Sequence, residues 1–354
     1  MTVPEKRPDL IDLEGYHSAQ VDAEVRLNTN ESPFIPPRSF YDELQAEIGR
    51  LVLNRYPDRE AVALRRALGE LEGVPTASIF CANGSNEVLQ SLLLAYGGST
   101  RTALVFEPSY TLHAHIARVT GTRVTAAPRG ADFRLSVDDI ARALSAHNPA
   151  LVFLCSPNNP TGLSEPLENV RAALEHSSGL VIVDEAYGQF SPTTAASLRG
   201  HEGSERLVVV RTFSKTWALA GARLGYCVAD PEVVDACFSV CLPYHLSSLT
   251  QQAGMTVLRY RAEMDRHLAT ITAERERLLL ELGLLDLEVW PSEANFILFR
   301  PRSVDAVELW GRLLERSVLI RDCSSWRSLH GCLRVTIGTP EDNDRFLEAL
   351  KESA

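Results

Sequence analysis

Residues 180–187 read Leu-Val-Ile-Val-Asp-Glu-Ala-Tyr, and this stretch decides the fold class. Its first four residues are continuously apolar, which is typical of a strand that is buried on both faces. Similar runs of strand length lie at residues 102–106, 150–154, 207–210 and 224–228. Helical patterns lie between some of these runs. We therefore expect an α/β fold in three layers, with a mostly parallel sheet covered by helices on both faces.

The pattern changes after about residue 231. A long amphipathic helix is predicted over 260–282, and short strands and helices follow it. This order indicates a smaller α+β unit. The start of the chain has few periodic apolar positions and contains Pro4 and Pro8, which is typical of an arm. The predicted units are an N-terminal arm over 1–30 that packs with the small domain, a large domain over 31–235 and a small domain over 236–354.

The composition favours a cytoplasmic protein that binds small molecules. The chain has 354 residues and a net charge of −11, which argues against nucleic acid or an anionic membrane as partner. No apolar run approaches the ~20 residues of a membrane span. The first ten residues lack the apolar core of a secretory signal. The seven cysteines show no paired zinc-type spacing, so we expect free thiols in a reducing compartment.

Polar clusters follow the predicted strands. Ligands of open α/β sheets bind beyond the carboxyl ends of the strands, so we expect these clusters to converge on one edge. Each cluster alone could be ordinary turn chemistry. Together they indicate a binding site. The clusters occupy residues 83–87, 107–110, 156–162, 184–187 and 211–215.

Lys215 follows a buried strand, at a position where a lysine is ordinarily a solvated surface residue. A lysine that reacts as a free amine needs a low-dielectric pocket and a nearby cation, which Arg223 could supply. Ser214 and Arg223 also suit a phosphate dianion. Backbone N–H groups of residues 84–86 could bind the same anion at the start of a helix. The alternative for that turn is an ordinary helix N-cap.

Asp184 ends the most apolar strand. A buried carboxylate is costly unless it is paired, and a protonated pyridine nitrogen is one such partner. Tyr187 and Asn159 could then hydrogen-bond the phenolic oxygen of the same ring. The alternatives are a helix N-cap for Asp184 and a half-buried aromatic for Tyr187. His113 and His115 have a metal-like spacing, but no carboxylate or Cys partner is evident. We therefore expect them on a helix surface, assign them no role and predict no metal site.

Several motifs together resemble the fold-type I aminotransferases that depend on pyridoxal 5′-phosphate (PLP). They read Ser-Pro-Asn-Asn-Pro-Thr-Gly at 156–162, Asp-Glu-Ala-Tyr at 184–187, Thr-Phe-Ser-Lys at 212–215 and Leu-Ala-Gly-Ala-Arg-Leu-Gly at 219–225. Further cues resemble the histidinol-phosphate aminotransferase branch and cover nearly the whole chain. Among them are Leu-Asn-Thr-Asn-Glu at 27–31, Arg-Tyr-Pro-Asp at 55–58, Val-Leu-Ile-Arg-Asp at 318–322 and Arg-Val-Thr-Ile-Gly at 334–338.

The resemblance implies a role for individual residues. Lys215 resembles the lysine that binds PLP covalently and shuttles a proton, Asp184 the partner of the pyridine nitrogen, and Tyr187 a ligand of the ring oxygen. These are the predicted catalytic residues, in a large domain that binds PLP. The other implied cofactor contacts are Asn159 at the ring oxygen, Tyr110 stacked on the ring, Gly84, Ser85, Asn86, Ser214 and Arg223 around the phosphate, and Tyr56 from the partner subunit. The implied substrate-binding residues are Tyr16, Asn30, Arg321 and Arg334.

The implied reaction is transamination between histidinol phosphate and 2-oxoglutarate in histidine biosynthesis, carried out by a homodimer. Alternatives on the same scaffold are an aromatic or other amino-acid aminotransferase and a threonine-phosphate decarboxylase. A PLP-sensing transcription regulator is disfavoured because the motifs begin within the first ~60 residues and leave no room for a DNA-binding domain. Three positions depart from the family pattern without removing a catalytic group. They are Asn86 in place of an acidic residue, Ala222 in place of Leu and His113 in place of Tyr.

Overall fold

The computed structural model describes residues 3–11, 13, 15 and 21–353. The strands are β1 (Val25–Leu27), β2 (Ile79–Ala82), β3 (Thr102–Glu107), β4 (Arg123–Pro128), β5 (Leu151–Cys155), β6 (Leu180–Asp184), β7 (Leu207–Thr212), β8 (Gly225–Val228), β9 (Leu287–Val289), β10 (Phe296–Pro301), β11 (Val318–Asp322) and β12 (Leu333–Thr336). They form a seven-stranded sheet in the order β2-β8-β7-β6-β5-β3-β4 and a five-stranded sheet in the order β1-β11-β12-β10-β9.

Helices surround both sheets. They are α1 (Arg38–Ile48), α2 (Val62–Glu72), α3 (Ser85–Tyr96), α4 (Thr111–Val119), α5 (Val137–His147), α6 (Leu167–His176), α7 (Pro231–Val240), α8 (Ser248–Val257), α9 (Arg261–Gly283), α10 (Ala306–Glu315) and α11 (Pro340–Ser353). Within the described residues, none of them combines the length and apolarity that a membrane span requires.

The larger sheet has a core on each face. Val152 in β5 packs with the apolar residues of α5 and α6, and its neighbour Phe153 packs with those of α3, α4 and α7. Successive side chains of a strand point to opposite faces, so a continuously apolar strand contributes to both cores. This arrangement explains why these strands show no apolar–polar alternation in the sequence.

The sheet is parallel from β4 to β7, but β8 is antiparallel to both β7 and β2. A parallel neighbour would require a crossover connection of about a dozen residues or more, usually a helix. The segment between Thr212 and Gly225 instead folds as a loop that contains only a short 3₁₀ turn at Ala220–Ala222. The chain therefore returns beside β7 in the opposite direction. Lys215 lies in this returning loop.

The smaller sheet is antiparallel except at its edge, where β1 pairs in parallel with β11 through Val25 and Val318. A segment near the N-terminus thus becomes a strand of the C-terminal sheet. The predicted domain boundary at residue 235 lies inside α7, whose Val233, Val234 and Cys237 pack in a core of the larger sheet. The domain limits themselves remain predictions.

Candidate active site

A cavity of about 360 Å³ opens where the carboxyl ends of β5, β6 and β7 meet β12 of the smaller sheet. The parallel order of the strands brings their polar ends together, as the sequence predicts. Ten of the predicted site residues line the cavity together. They are Ser85, Asn86, Tyr110, Asn159, Asp184, Tyr187, Ser214, Lys215, Arg223 and Arg334.

The amine of Lys215 donates a hydrogen bond to the carbonyl oxygen of Thr29 over 3.1 Å. Loss of water around the amine lowers its pKa to about 7, helped by the cations Arg334 and Arg223, while Glu31 acts in the opposite direction. A large fraction of the amine is therefore unprotonated near neutral pH. A free amine is the form that reacts with a carbonyl group.

Asp184 is fully buried at the end of β6. Its Oδ2 lies 2.9 Å from Nε2 of His113, and its Oδ1 accepts a hydrogen bond from the Ala186 amide over 3.0 Å. His113 lies on α4 and its ring stacks on Phe153 at a centroid distance of 5.0 Å. These partners hold a carboxylate at the floor of the cavity. Such a group suits the protonated ring nitrogen of PLP.

The prediction that His113 lies on a helix surface is therefore wrong. His113 is on the face of α4 that packs against the sheet, three residues after Tyr110, and it is 1% exposed. Its carboxylate partner, Asp184, is 71 residues away in the chain, so local spacing could not reveal the pair. The sequence did carry one signal that position 113 is unusual, since His113 stands where many relatives carry Tyr. His115, two residues further along the helix, is half-buried.

Tyr187 and Asn159 each keep one hydrogen-bond donor for the cavity. The amide of Asn30 donates to the Tyr187 hydroxyl over 3.0 Å, and burial raises the pKa of that phenol above its usual range. The hydroxyl therefore keeps its proton and can donate it. Arg334 donates to Oδ1 of Asn159, so the amide nitrogen of Asn159 remains as a donor. Two donors at this wall fit the anionic oxygen of the PLP ring.

The turn before α3 is shaped to bind an anion. Gly84 has φ +82, and a Cβ at this position would lie 2.5 Å from Nη2 of Arg223. Arg223 in turn reaches Oγ of Ser214 over 3.4 Å. Ser85 begins α3, and no side chain caps this helix end, so the helix-cap alternative is not what the structure shows. Free backbone N–H groups, a hydroxyl and a guanidinium fit the phosphate of PLP.

Arg321 and Arg334 are directly opposite one another on β11 and β12. Opposed residues of an antiparallel pair have their side chains on the same face. Arg334 is buried, lines the cavity and donates to the carbonyl of Asn28 over 2.9 Å. Among the described residues its Nε has no hydrogen-bond partner. The guanidinium of Arg321 lies over the ring of Trp326, 5.4 Å from its centroid.

Four other predicted residues do not themselves line the cavity: Asn30, Tyr56, Gly84 and Arg321. Asn30 lies behind Tyr187 and is held there by Thr336. Tyr56 is 79% exposed and stacks on Tyr244 at 4.4 Å. Tyr16 lies outside the described residues. The substrate roles of Asn30 and Tyr16 and the inter-subunit role of Tyr56 stay predictions.

Residues to which the sequence analysis gave no role also line the cavity, among them Thr29, Glu31 and Trp326. Thr29 donates to the carboxylate of Glu31 over 2.9 Å, at the side of the cavity where the Lys215 amine lies. Trp326 comes from the loop between β11 and β12. Within the described part of the chain, no three His, Cys, Asp or Glu side chains are grouped so that they could hold a metal ion.

A family model described as aminotransferase class I and II matches residues 23–350. The chain belongs to this family. A histidinol-phosphate aminotransferase from Frankia casuarinae is 46% identical over 97% of this chain and 89% of its own length. Relatives with the same name from mycobacteria and corynebacteria are 42 to 45% identical.

Solved structures share the fold of this aminotransferase. A histidinol-phosphate aminotransferase from Sinorhizobium meliloti, solved in complex with PLP, has a TM-score of 0.87 at 23% identity and covers 99% of this chain and 98% of its own. An L-threonine-O-3-phosphate decarboxylase from Porphyromonas gingivalis has a TM-score of 0.80 at 25% identity and covers 93% and 98%. The predictions of the fold class, of an aminotransferase and of PLP as its cofactor are confirmed.

Proposed function

We propose that this aminotransferase transfers the amino group of histidinol phosphate to 2-oxoglutarate, giving imidazole-acetol phosphate and L-glutamate in cytoplasmic histidine biosynthesis. The observation that carries the proposal is the pair Arg321 and Arg334, which are opposed on β11 and β12 and of which Arg334 lines the cavity. Two guanidinium groups suit a phosphate dianion better than one, because each can form bidentate charge-assisted hydrogen bonds. The relatives at 42 to 46% identity carry the corresponding name.

PLP, when bound, supplies an electron sink for the carbon that loses its proton. The residues of this chain do the rest. Lys215, whose amine is partly free near neutral pH, removes the proton from the substrate carbon that bears the nitrogen and later returns one. Asp184, held by hydrogen bonds between His113 and the Ala186 amide, would pair with the protonated ring nitrogen.

The other residues bind and orient. Tyr187 and Asn159 would donate to the ring oxygen of PLP, and Ser214 and Arg223, with the start of α3, would hold its phosphate. Arg334 receives the anionic group of the amino donor in the first half of the cycle. It receives a carboxylate of 2-oxoglutarate in the second half. The two substrates share one site, so the kinetics should be ping-pong.

We also propose a homodimer in which Tyr56 completes the partner's site. Tyr56 is largely exposed and does not line the cavity of its own chain. Nearby apolar side chains are exposed as well. Val52 and Leu53 precede Tyr56, and Leu242 and Leu249 flank Tyr244, the residue on which Tyr56 stacks. Clustered exposed apolar residues mark an interaction surface, and a second copy of the chain is the partner that would use Tyr56.

A comparison of three amino compounds tests the substrate. With 2-oxoglutarate in excess, histidinol phosphate should give a kcat/KM at least about tenfold above that of phenylalanine, the size of effect expected from a matched phosphate site. Phosphothreonine serves as the third compound, and its decarboxylation is followed by release of carbon dioxide. Equal use of phenylalanine would favour a general aromatic aminotransferase. Release of carbon dioxide would favour the decarboxylase.

A further inference from the structure

The loop between β11 and β12 is rigidly built. Its two ends are joined by a hydrogen bond from the Cys323 amide to the Cys332 carbonyl over 3.1 Å. Further turns run from Trp326 to Cys323, from Leu329 to Trp326 and from Cys332 to Leu329, at 2.9 to 3.1 Å. Cys323, Leu329 and Cys332 are buried together in a small apolar core. The loop therefore presents Trp326 in a fixed position.

Trp326 forms part of the boundary between two cavities. It lines the cofactor cavity of about 360 Å³ and also a neighbouring cavity of about 130 Å³. Tyr110 and Thr111 line both cavities as well. Tyr110 and Thr111 belong to the large sheet's side of the site, whereas Trp326 comes from the small sheet. Removal of the indole would join the two spaces and lengthen the compartment.

The same indole contacts Arg321. The guanidinium lies 5.4 Å from the ring centroid, within the range of a cation–π interaction. Trp326 therefore both borders the compartment and contacts one of the two opposed arginines.

We infer that Trp326 is a specificity-determining residue of this aminotransferase. Its indole ends the donor compartment so that a donor with one small ring fits and a larger fused ring does not. It also holds Arg321 for the anionic group of the donor. This inference rests on the proposed function, because histidinol phosphate combines a small imidazole ring with a phosphate.

Three substitutions separate the two roles. Trp326→Phe keeps a flat ring, Trp326→Leu keeps apolar bulk without an aromatic face, and Trp326→Ala removes both. Arg327→Gln is the matched control from the same loop. Arg327 forms an exposed ion pair with Glu107 at 3.1 Å and borders the smaller cavity but not the cofactor cavity. An exposed pair of this kind contributes little, so Arg327→Gln should behave as the unmodified protein.

Each holoenzyme is assayed with histidinol phosphate, phenylalanine and tryptophan, with the melting temperature and bound cofactor as checks of folding. Trp326→Ala should raise KM for histidinol phosphate by about tenfold with little change in kcat, and should raise kcat/KM for tryptophan by about tenfold relative to phenylalanine. Trp326→Leu should lose only the contact with Arg321. The KM for histidinol phosphate should therefore rise, while tryptophan stays excluded. Trp326→Phe should stay near the unmodified protein for every donor.

The inference is overturned if Trp326→Ala and Trp326→Leu lower kcat/KM equally for all three donors, or if neither changes the ratio between tryptophan and phenylalanine. Should Trp326→Ala fail to fold, the KM for histidinol phosphate is compared between Trp326→Leu and Trp326→Phe. A KM that is no higher in Trp326→Leu than in Trp326→Phe would overturn the inference. A failure of the proposed function is distinguishable, because the unmodified protein would then not use histidinol phosphate. The two aromatic amino acids would still measure the compartment.

Discussion

At the scale of single residues, the chemistry of the site depends on how its buried charges are paired. An unpaired carboxylate at the position of Asp184 would be strongly destabilising. His113 and the Ala186 amide hold both of its oxygens by hydrogen bonds. We therefore expect His113 to act on the cofactor through Asp184, as a positioning residue.

Replacement of His113 by Phe should weaken this arrangement. A hydrogen bond to a charged group contributes about 1.5 to 3 kcal/mol, so we expect kcat to fall by about tenfold to a hundredfold. The pH at which the absorption spectrum of the bound cofactor changes should shift too, because the ring nitrogen loses a well-held partner. His115→Phe is the control from the same helix. Identical spectra and rates for the two variants would contradict the role of His113.

The lowered pKa of Lys215 predicts a pH dependence. Apoprotein should capture added PLP faster as the pH rises, because the amine must lose its proton, and the midpoint should lie near pH 7. Arg334→Leu removes the larger of the two cationic influences and should move the midpoint upward. Stopped-flow absorbance follows the capture, with Lys215→Ala as the blank. A midpoint close to the ordinary lysine value of 10.5 would show that the amine is not perturbed.

The residue types at the strand ends could be predicted from the sequence, but the residues that contact them in the folded chain could not. Lys215, Asp184 and Arg223 stand in recognisable motifs, and all three line the cavity. His113 and Trp326 contact residues that only the fold brings near them. His113 meets a strand 71 residues away, and Trp326 depends on a loop whose shape comes from four backbone hydrogen bonds. Neither arrangement has a local sequence pattern.

At the scale of elements, the turn between β2 and α3 illustrates how backbone shape makes a site. Gly84 has φ +82 and ψ 167, a conformation that is almost restricted to glycine. Gly225 at the start of β8 also approaches this turn, since a Cβ there would lie 2.3 Å from the Ser85 nitrogen. Two glycines thus let β8, Arg223 and α3 come close enough to surround one phosphate.

Gly84→Ala should disrupt this turn. The new Cβ would meet Arg223 and the backbone would be strained, so we expect a loss of roughly 1 to 3 kcal/mol in the free energy of unfolding. PLP should also bind at least about tenfold more weakly. Gly73→Ala is a suitable control. It shares a positive φ of +65, but nothing lies within 4 Å of its Cβ position. Equal PLP affinities for the two variants would show that the turn does not bind the phosphate.

Long buried elements were predicted better than exposed ones. The runs at 102–106 and 180–183 appear as β3 and β6 with small changes of bounds. Strand β4 has only partly buried or exposed residues, so it lacks the apolar run that marks the others. The direction of β8 was not predictable either. It depends on the loop after β7, which carries the Lys215 motif instead of a crossover helix.

At the scale of the whole molecule, the active site is built from both ends of the chain and both sheets. The segment that follows β1 brings Thr29 and Glu31 to the cavity, and β12 brings Arg334. The proposed partner subunit adds Tyr56. A site assembled in this way should require the dimer.

Mixed dimers test this assembly. A Lys215→Ala chain still offers Tyr56, and a Tyr56→Phe chain still offers Lys215. If the two chains exchange freely, half of the dimers are mixed and one of their two sites is complete. About one quarter of all sites should then be intact. Activity after unfolding and refolding the mixture should exceed that of either homodimer. A monomer with full activity, or no gain on mixing, would contradict the composite site.

The central claim is that this chain takes the amino group from histidinol phosphate, and a half-reaction tests it most directly. Holoenzyme is mixed with histidinol phosphate in the absence of 2-oxoglutarate, and the visible absorption of the Lys215-bound cofactor is followed. The account predicts that this absorption disappears in step with the release of one equivalent of imidazole-acetol phosphate per site, and that 2-oxoglutarate restores it while one equivalent of L-glutamate forms. An unchanged spectrum with histidinol phosphate, alongside a full and reversible change with phenylalanine or glutamate, would contradict it.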